Sequence, residues 1–162
     1  MKRILVAGVG NIFFGDDGFG VEVSRRLSER ALPEGVQVKD FGIRGLDLTY
    51  ALLDGWDAAI LVDALPRGGD PGTLYVIDPA ADAGPPVLDP HAMHPARVLA
   101  MARELGGTPP ILRVVGCEPG AAEEMQMGLS PAVAAAVDPA CTLVEQLAKE
   151  LSSCTSSESR SR

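Results

Sequence analysis

The chain has 162 residues, the size of one ordinary domain, and a formal charge of −8 from 14 basic and 22 acidic residues. That balance argues against binding a phosphate backbone, which needs clustered cations, and against an anionic membrane surface. Aromatic residues make up only 4%, so Val, Leu, Ile and Ala must build the core, and stacking on bases or sugars is not expected.

The opening MKRILVAGVG lacks the long apolar stretch of a signal peptide, and no apolar run reaches the length of a membrane span. Cys117, Cys141 and Cys154 form no CxxC pair. With no export signal, reduced thiols in a cytoplasm are expected, with Cys117 and Cys141 as small buried residues.

Residues 3–8 (RILVAG) read as a first buried strand. Glycines, Asn11 and Asp16-Asp17-Gly18 follow, then a helical pattern to about Leu32 with Val21, Leu27 and Ala31 toward the core. Residues 36–40 alternate as a second strand, and 45–54 form a short helix. Residues 58–62 are five apolar residues between Asp57 and Asp63, the pattern of a central parallel strand. After the PRGGDP turn at 66–71, residues 73–77 make a fourth strand. The Ala-, Pro- and Gly-rich stretch 80–90 is a loop, and 95–105 is a helix closed by Gly106-Gly107. Residues 111–117 (ILRVVGC) form the last strand. Ser130 and Pro131 then open a final helix to about Leu151, with Ser130 as its N-cap. Residues 152–162 are a Ser-rich flexible tail beyond the 1–151 domain.

Alternating strands and helices predict a single three-layer α/β domain, with a twisted, mostly parallel sheet of about five strands between helices. Ligands of such sheets sit beyond the carboxyl ends of the strands. The polar residues falling there are Asn11, Asp16 and Asp17, then Asp40, Asp63 and Glu118. Carboxylates from distant positions are therefore expected to gather at one edge.

A dinucleotide reading of Gly8-Val9-Gly10-Asn11-Ile12-Phe13 fails on two counts. Phe13 stands where the third glycine belongs, and Asp16-Asp17 would repel a pyrophosphate at the helix entrance. Asp16 is read as a helix cap and Asp17 as a site residue. Asp63 has an alternative as a strand-end turn residue, but a charge directly after a buried strand is costly unless paired or metal-bound. His91 and His94 are the only histidines; Pro95 sets His94 near a helix N-cap and leaves His91 in the loop. Asp17, Asp63 and His91 together would offer two oxygens and one imidazole nitrogen. That donor set suits nickel or zinc and leaves coordination positions open.

The ordered segments GVGNIFFGDDGFG, DFGIRG, ILVDA, DPHAM and VGCEP resemble the nickel–iron hydrogenase maturation endopeptidases over about residues 3–151. The resemblance implies removal of a C-terminal peptide from the large-subunit precursor after nickel insertion. It aligns the family's metal-contacting acid with Asp17, its strand-end acid with Asp63 and its loop histidine with His91, as catalytic and metal-contacting residues. It also aligns a substrate-specificity loop with residues 40–45, including Asp40, Gly42 and Arg44. Gly42-Ile43 departs from the Gly-Thr of many members. The implied nickel is supplied by the substrate as a recognition element, with no nucleotide, nucleic acid or membrane partner and a monomeric protein. Two other readings are a non-cleaving nucleotide or metabolite binder and an assembly chaperone of the precursor.

Overall fold

The computed structural model describes residues 2–79, 95–120 and 128–153. Five strands, β1 (Ile4–Val9), β2 (Val36–Gly42), β3 (Ala58–Ala64), β4 (Leu74–Ile77) and β5 (Ile111–Cys117), form one sheet in the order β2-β1-β3-β5-β4. All neighbours are parallel except β4, which runs antiparallel along the outer side of β5. The expected mostly parallel five-stranded α/β domain is what forms.

Strand alternation divides the core. Ile4, Val6, Ala58, Ile60, Val62, Val115 and Cys117 point to one face, against α1 (Phe19–Leu27) and α4 (Pro131–Ser153). Leu5, Ala7, Val9, Ala59, Leu61, Leu112 and Val114 point to the other, against α2 (Gly45–Leu52) and α3 (Pro95–Glu104). With both faces covered, β1 and β3 up to Val62 can be apolar throughout, which is why they lack a polar alternation. Arg26–Asp138 at 2.8 Å and Arg30–Glu145 at 3.0 Å tie α1 and the turn that follows it to α4. Cys117 and Cys141 are free and buried, as expected, and Cys154 lies outside the described residues.

Most boundaries shift by one or two residues from expectation, and three of the differences bear on the packing. The first helix ends at Leu27, because Glu29 and Arg30 donate to the carbonyls of Arg26 and Leu27 in a tight turn ahead of Pro33. Its core face is Phe19, Val23 and Leu27, spaced by four; Val21 is half-buried and Ala31 exposed. The second strand reaches Gly42 because a bulge opens opposite Gly8 and Val9: Asp40 pairs with Gly8, Gly42 with Val9, and Phe41 is the extra residue. Phe41 is thereby turned into the core. The last helix continues to Ser153, and the rest of the Ser-rich segment lies outside the described residues.

No helix among the described residues is long and apolar enough to cross a membrane. From β1 the chain crosses by α1 to β2 on one side, whereas from β3 it moves to β4 and β5 on the other. The direction of winding therefore reverses between β1 and β3. In a parallel sheet such a point leaves a crevice beyond the strand ends, where no connection covers them.

Candidate active site

That crevice holds the first two predicted site residues. Asp63 belongs to the end of β3, and its register partner on β5 is Gly116. Asp17 lies in the single 3-10 turn Gly15–Gly18 that leads from β1 into α1. Two glycines allow the turn to close over the strand ends. Gly20 presses the start of α1 against the carbonyls of Val9 and Val62, where a Cβ would collide with both. Gly10, at φ +139°, faces the carbonyl of Asp17, and a Cβ there would also stand 3.4 Å from Asp63 Oδ1. The Asn11 N–H donates to Asp17 Oδ2 at 2.9 Å and fixes its carboxylate over the crevice.

Asp63 is 5% exposed and accepts a hydrogen bond from the Ala64 N–H at 2.8 Å. Burial pushes its carboxyl well above the ordinary range, and the Asp17 charge pushes it further, against the pull of the Ala64 N–H. No basic side chain among the described residues offsets this cost. Two carboxylates held together at a buried strand end are suited to a cation or to proton transfer.

Asp40 lies on the same edge, at the end of β2. Its Oδ1 accepts from the Gly42 N–H at 2.8 Å, closing a turn that needs the positive φ of Gly42, +54°. The Gly10 N–H donates to the Gly42 carbonyl at 2.9 Å, so this loop is fastened beside the acid pair. Arg44 donates to the carbonyls of Asp40 at 2.6 Å and Phe41 at 3.2 Å. Its guanidinium thus holds the shape of the loop. His91 and His94 lie outside the described residues, and within those residues no three side chains of metal-binding type cluster.

Two acids of the expected gathering have other work. Asp16 does not cap the following helix: Gly18 occupies the N-cap of α1, and no side chain bonds there. The buried Asp16 carboxylate instead accepts from Gly120 N–H at 2.8 Å, Ser130 N–H at 2.7 Å and Ser130 Oγ at 2.8 Å. It joins the site turn to the segments on either side of residues 121–127. Ser130 holds the expected place ahead of α4, but its hydroxyl serves Asp16. Glu118, also buried, accepts from the N–H groups of Arg67 and Gly69 and from the Tyr75 hydroxyl. Burial raises its carboxyl, but these donors outweigh that and leave it below the ordinary range. Glu118 organises the turn between β3 and β4.

The dinucleotide motif fails structurally as well. Residue 13 sits in an exposed loop, and α1 begins only at Phe19, beyond the two acids of the 3-10 turn. Sequence reasoning missed the pair Phe13-Phe14 as a surface feature, although two adjacent aromatics in an aromatic-poor chain were a visible signal.

A family model described as hydrogenase maturation protease matches residues 21–147, a span that includes residues 40–45, Asp63 and His91. The chain is 36% identical over 141 residues to the hydrogenase expression/formation protein HupD of Rhodobacter capsulatus, covering 85% of this chain and 67% of that one. It is 35% identical over 145 residues to the hydrogenase 2 maturation protease of Escherichia coli, covering 85% of each. Its fold superposes on the hydrogenase maturating endopeptidase HybD from E. coli with a TM-score of 0.78 at 34% identity, covering 92% and 93% of the two chains. A maturation protease from Thermococcus kodakarensis gives a TM-score of 0.70 at 26% identity, covering 93% of each. On sequence and fold together, the chain belongs to the hydrogenase maturation protease family.

Proposed function

We propose that this protein is the endopeptidase that removes a C-terminal peptide from the precursor of a nickel–iron hydrogenase large subunit, and that nickel carried by the precursor is its recognition element. The observation that carries this reading is the meeting of Asp17 with the buried Asp63 at the winding reversal of the sheet, with no protein cation beside Asp63 among the described residues. The likeness to the E. coli hydrogenase 2 maturation protease and to HybD supports the substrate class.

Nickel belongs to the substrate here. Asp17 and Asp63 supply oxygens and His91 an imidazole nitrogen, a set that completes a partly coordinated divalent ion without enclosing it. A precursor lacking the ion would bring nothing to offset the burial of the Asp63 carboxylate, and seating it would keep that penalty. The cut itself needs water to add to the scissile carbonyl, a base to take its proton, and a proton for the departing amine. A carboxylate of this edge (Asp17, Asp40 or Asp63) acts as the base. The loop of Asp40, Gly42 and Arg44 forms the wall along which the substrate chain lies.

The test is the mass of the large subunit after incubation of nickel-loaded precursor with native protein and with Asp17→Ala, Asp63→Ala and His91→Ala. Native protein removes the C-terminal peptide, and each variant slows removal by about 100-fold or more. Cleavage at native rate by all three variants would refute the site. A precursor bound but left intact by the native chain would favour the chaperone reading.

A further inference from the structure

The turn that carries Asp17 has little in its own sequence to hold it. It is Gly15-Asp16-Asp17-Gly18, and its two glycines have no side chain to pack. No side chain caps the turn, and none caps the start of α1. Asp17 accepts from the Asn11 N–H at 2.9 Å, and its own N–H closes onto the Phe14 carbonyl at 3.1 Å. Those bonds shape the loop of residues 11–17 but do not attach it to the body of the molecule.

Asp16 supplies an attachment. Its carboxylate is 5% exposed and takes donors from residues 104 and 114 positions away. Oδ2 receives the Gly120 N–H and the Ser130 hydroxyl, both at 2.8 Å, and Oδ1 receives the Ser130 N–H at 2.7 Å. A Cβ on Gly120 would crowd Asp16 Oδ2 at 3.1 Å, so the chain passes here about as closely as a glycine allows. Gly10, just beyond β1, meets the Asp17 carbonyl and also lies close to Asp63. A shift of the turn therefore moves Asp17 relative to Asp63. Burying a carboxylate is costly, and an apolar side chain would pack a turn at less cost. What the carboxylate adds is direction, since three hydrogen bonds fix the adjoining backbone more narrowly than apolar contact does.

Building on the function proposed above, we infer that Asp16 is a positioning residue of the cleavage reaction, whose bonds to Gly120 and Ser130 hold the Asp17 carboxylate in its place beside Asp63. It acts through Asp17 and not on the substrate. Misplacing a reacting group by about 1 Å can cost on the order of 100-fold in rate, so a loosened turn matters even with both site acids present.

The test is a double-substitution cycle on the release of the C-terminal peptide from nickel-loaded precursor, at a temperature where every variant is folded. Asp16→Ala and Leu151→Ala are each made in the native chain and in Asp17→Ala. Leu151, buried near the far end of α4, is a core truncation that lowers stability without touching the turn. Asp16→Ala is expected to slow release by about 30-fold in the native chain, but by less than about twofold once Asp17 is gone. Leu151→Ala should stay within about twofold in both backgrounds. Asp16→Asn keeps an oxygen for the Ser130 N–H and replaces Asp16→Ala if that variant does not fold. Its loss of about threefold or more should likewise vanish in Asp17→Ala. Equal slowing in both backgrounds would overturn the inference, as would release at native rate by Asp16→Ala or an equal loss in Leu151→Ala. Amide hydrogen exchange reads the turn without cleavage. The Asn11 N–H, held by Asp17, is expected to exchange about tenfold faster in Asp16→Ala than in the native chain or Leu151→Ala, and unchanged exchange would overturn the inference. Faster exchange with no peptide release by the native chain would overturn the protease function and leave the placing of Asp17 standing. Release by the native chain with equal slowing in both backgrounds would do the reverse.

Discussion

At the residue scale, Asp63 explains the most. It was legible as a charge placed directly after ILV, and its burial follows from parallel neighbours on both sides of β3. Asp17 could be separated from Asp16 only in part. Adjacent acids look alike in sequence, and their different roles depend on Ser130 and Gly120, more than a hundred residues away. The raised Asp63 carboxyl has a consequence for stability. Between the ordinary carboxylate range and its raised value, the folded chain binds a proton that the unfolded chain has lost. Stability therefore falls as pH rises through that window, and above it the buried charge is a standing penalty. Asp63→Asn keeps an oxygen for the Ala64 N–H and removes the charge. Its melting temperature should exceed that of the native chain at neutral pH by roughly 3 °C, equivalent to about 1 kcal/mol. The difference should close as pH falls toward about 4, where the unfolded carboxyl also protonates. A lower melting temperature for Asp63→Asn at neutral pH would contradict this account. Enzymatic loss with a stability gain is the pattern of a strained functional residue.

At the element scale, periodicity identified every strand and α-helix that the structure describes, but not the 3-10 turn at Gly15–Gly18, because apolar runs bounded by Gly, Pro and Asp leave few alternatives whereas a single polar turn has no period. It did not reveal the bulge that places Asp40 and buries Phe41, since an extra residue in one strand is defined only by its partner. Nor did it reveal that Asp16 and Glu118 act as struts. Both are buried acids whose partners are mostly backbone N–H groups, and backbone donors leave no trace in sequence. The Asp16 strut joins the Asp17 turn to the start of α4. Removing it in Asp16→Ala leaves two N–H donors and a hydroxyl without their acceptor. The expected loss is about 3 kcal/mol, seen as a melting temperature lower by roughly 6–12 °C. A loss of under about 1 kcal/mol would show that the strut holds nothing.

At the scale of the whole molecule, the fold brings residues 17 and 63 together because the sheet winds in opposite directions from β1 and β3. The negative charge that first argued against nucleic acid and lipid is concentrated in function where Asp17, Asp40 and Asp63 share one edge. The third proposed ligand, His91, rests on sequence, since it lies outside the described residues. A shared edge of acids fits a partner that brings a cation within a protein surface. The most direct measurement compares nickel-loaded and nickel-free large-subunit precursor under the same conditions, following the mass of the large subunit with time. The account predicts loss of the C-terminal peptide from the loaded form and an intact nickel-free form. Equal cleavage of both would contradict it.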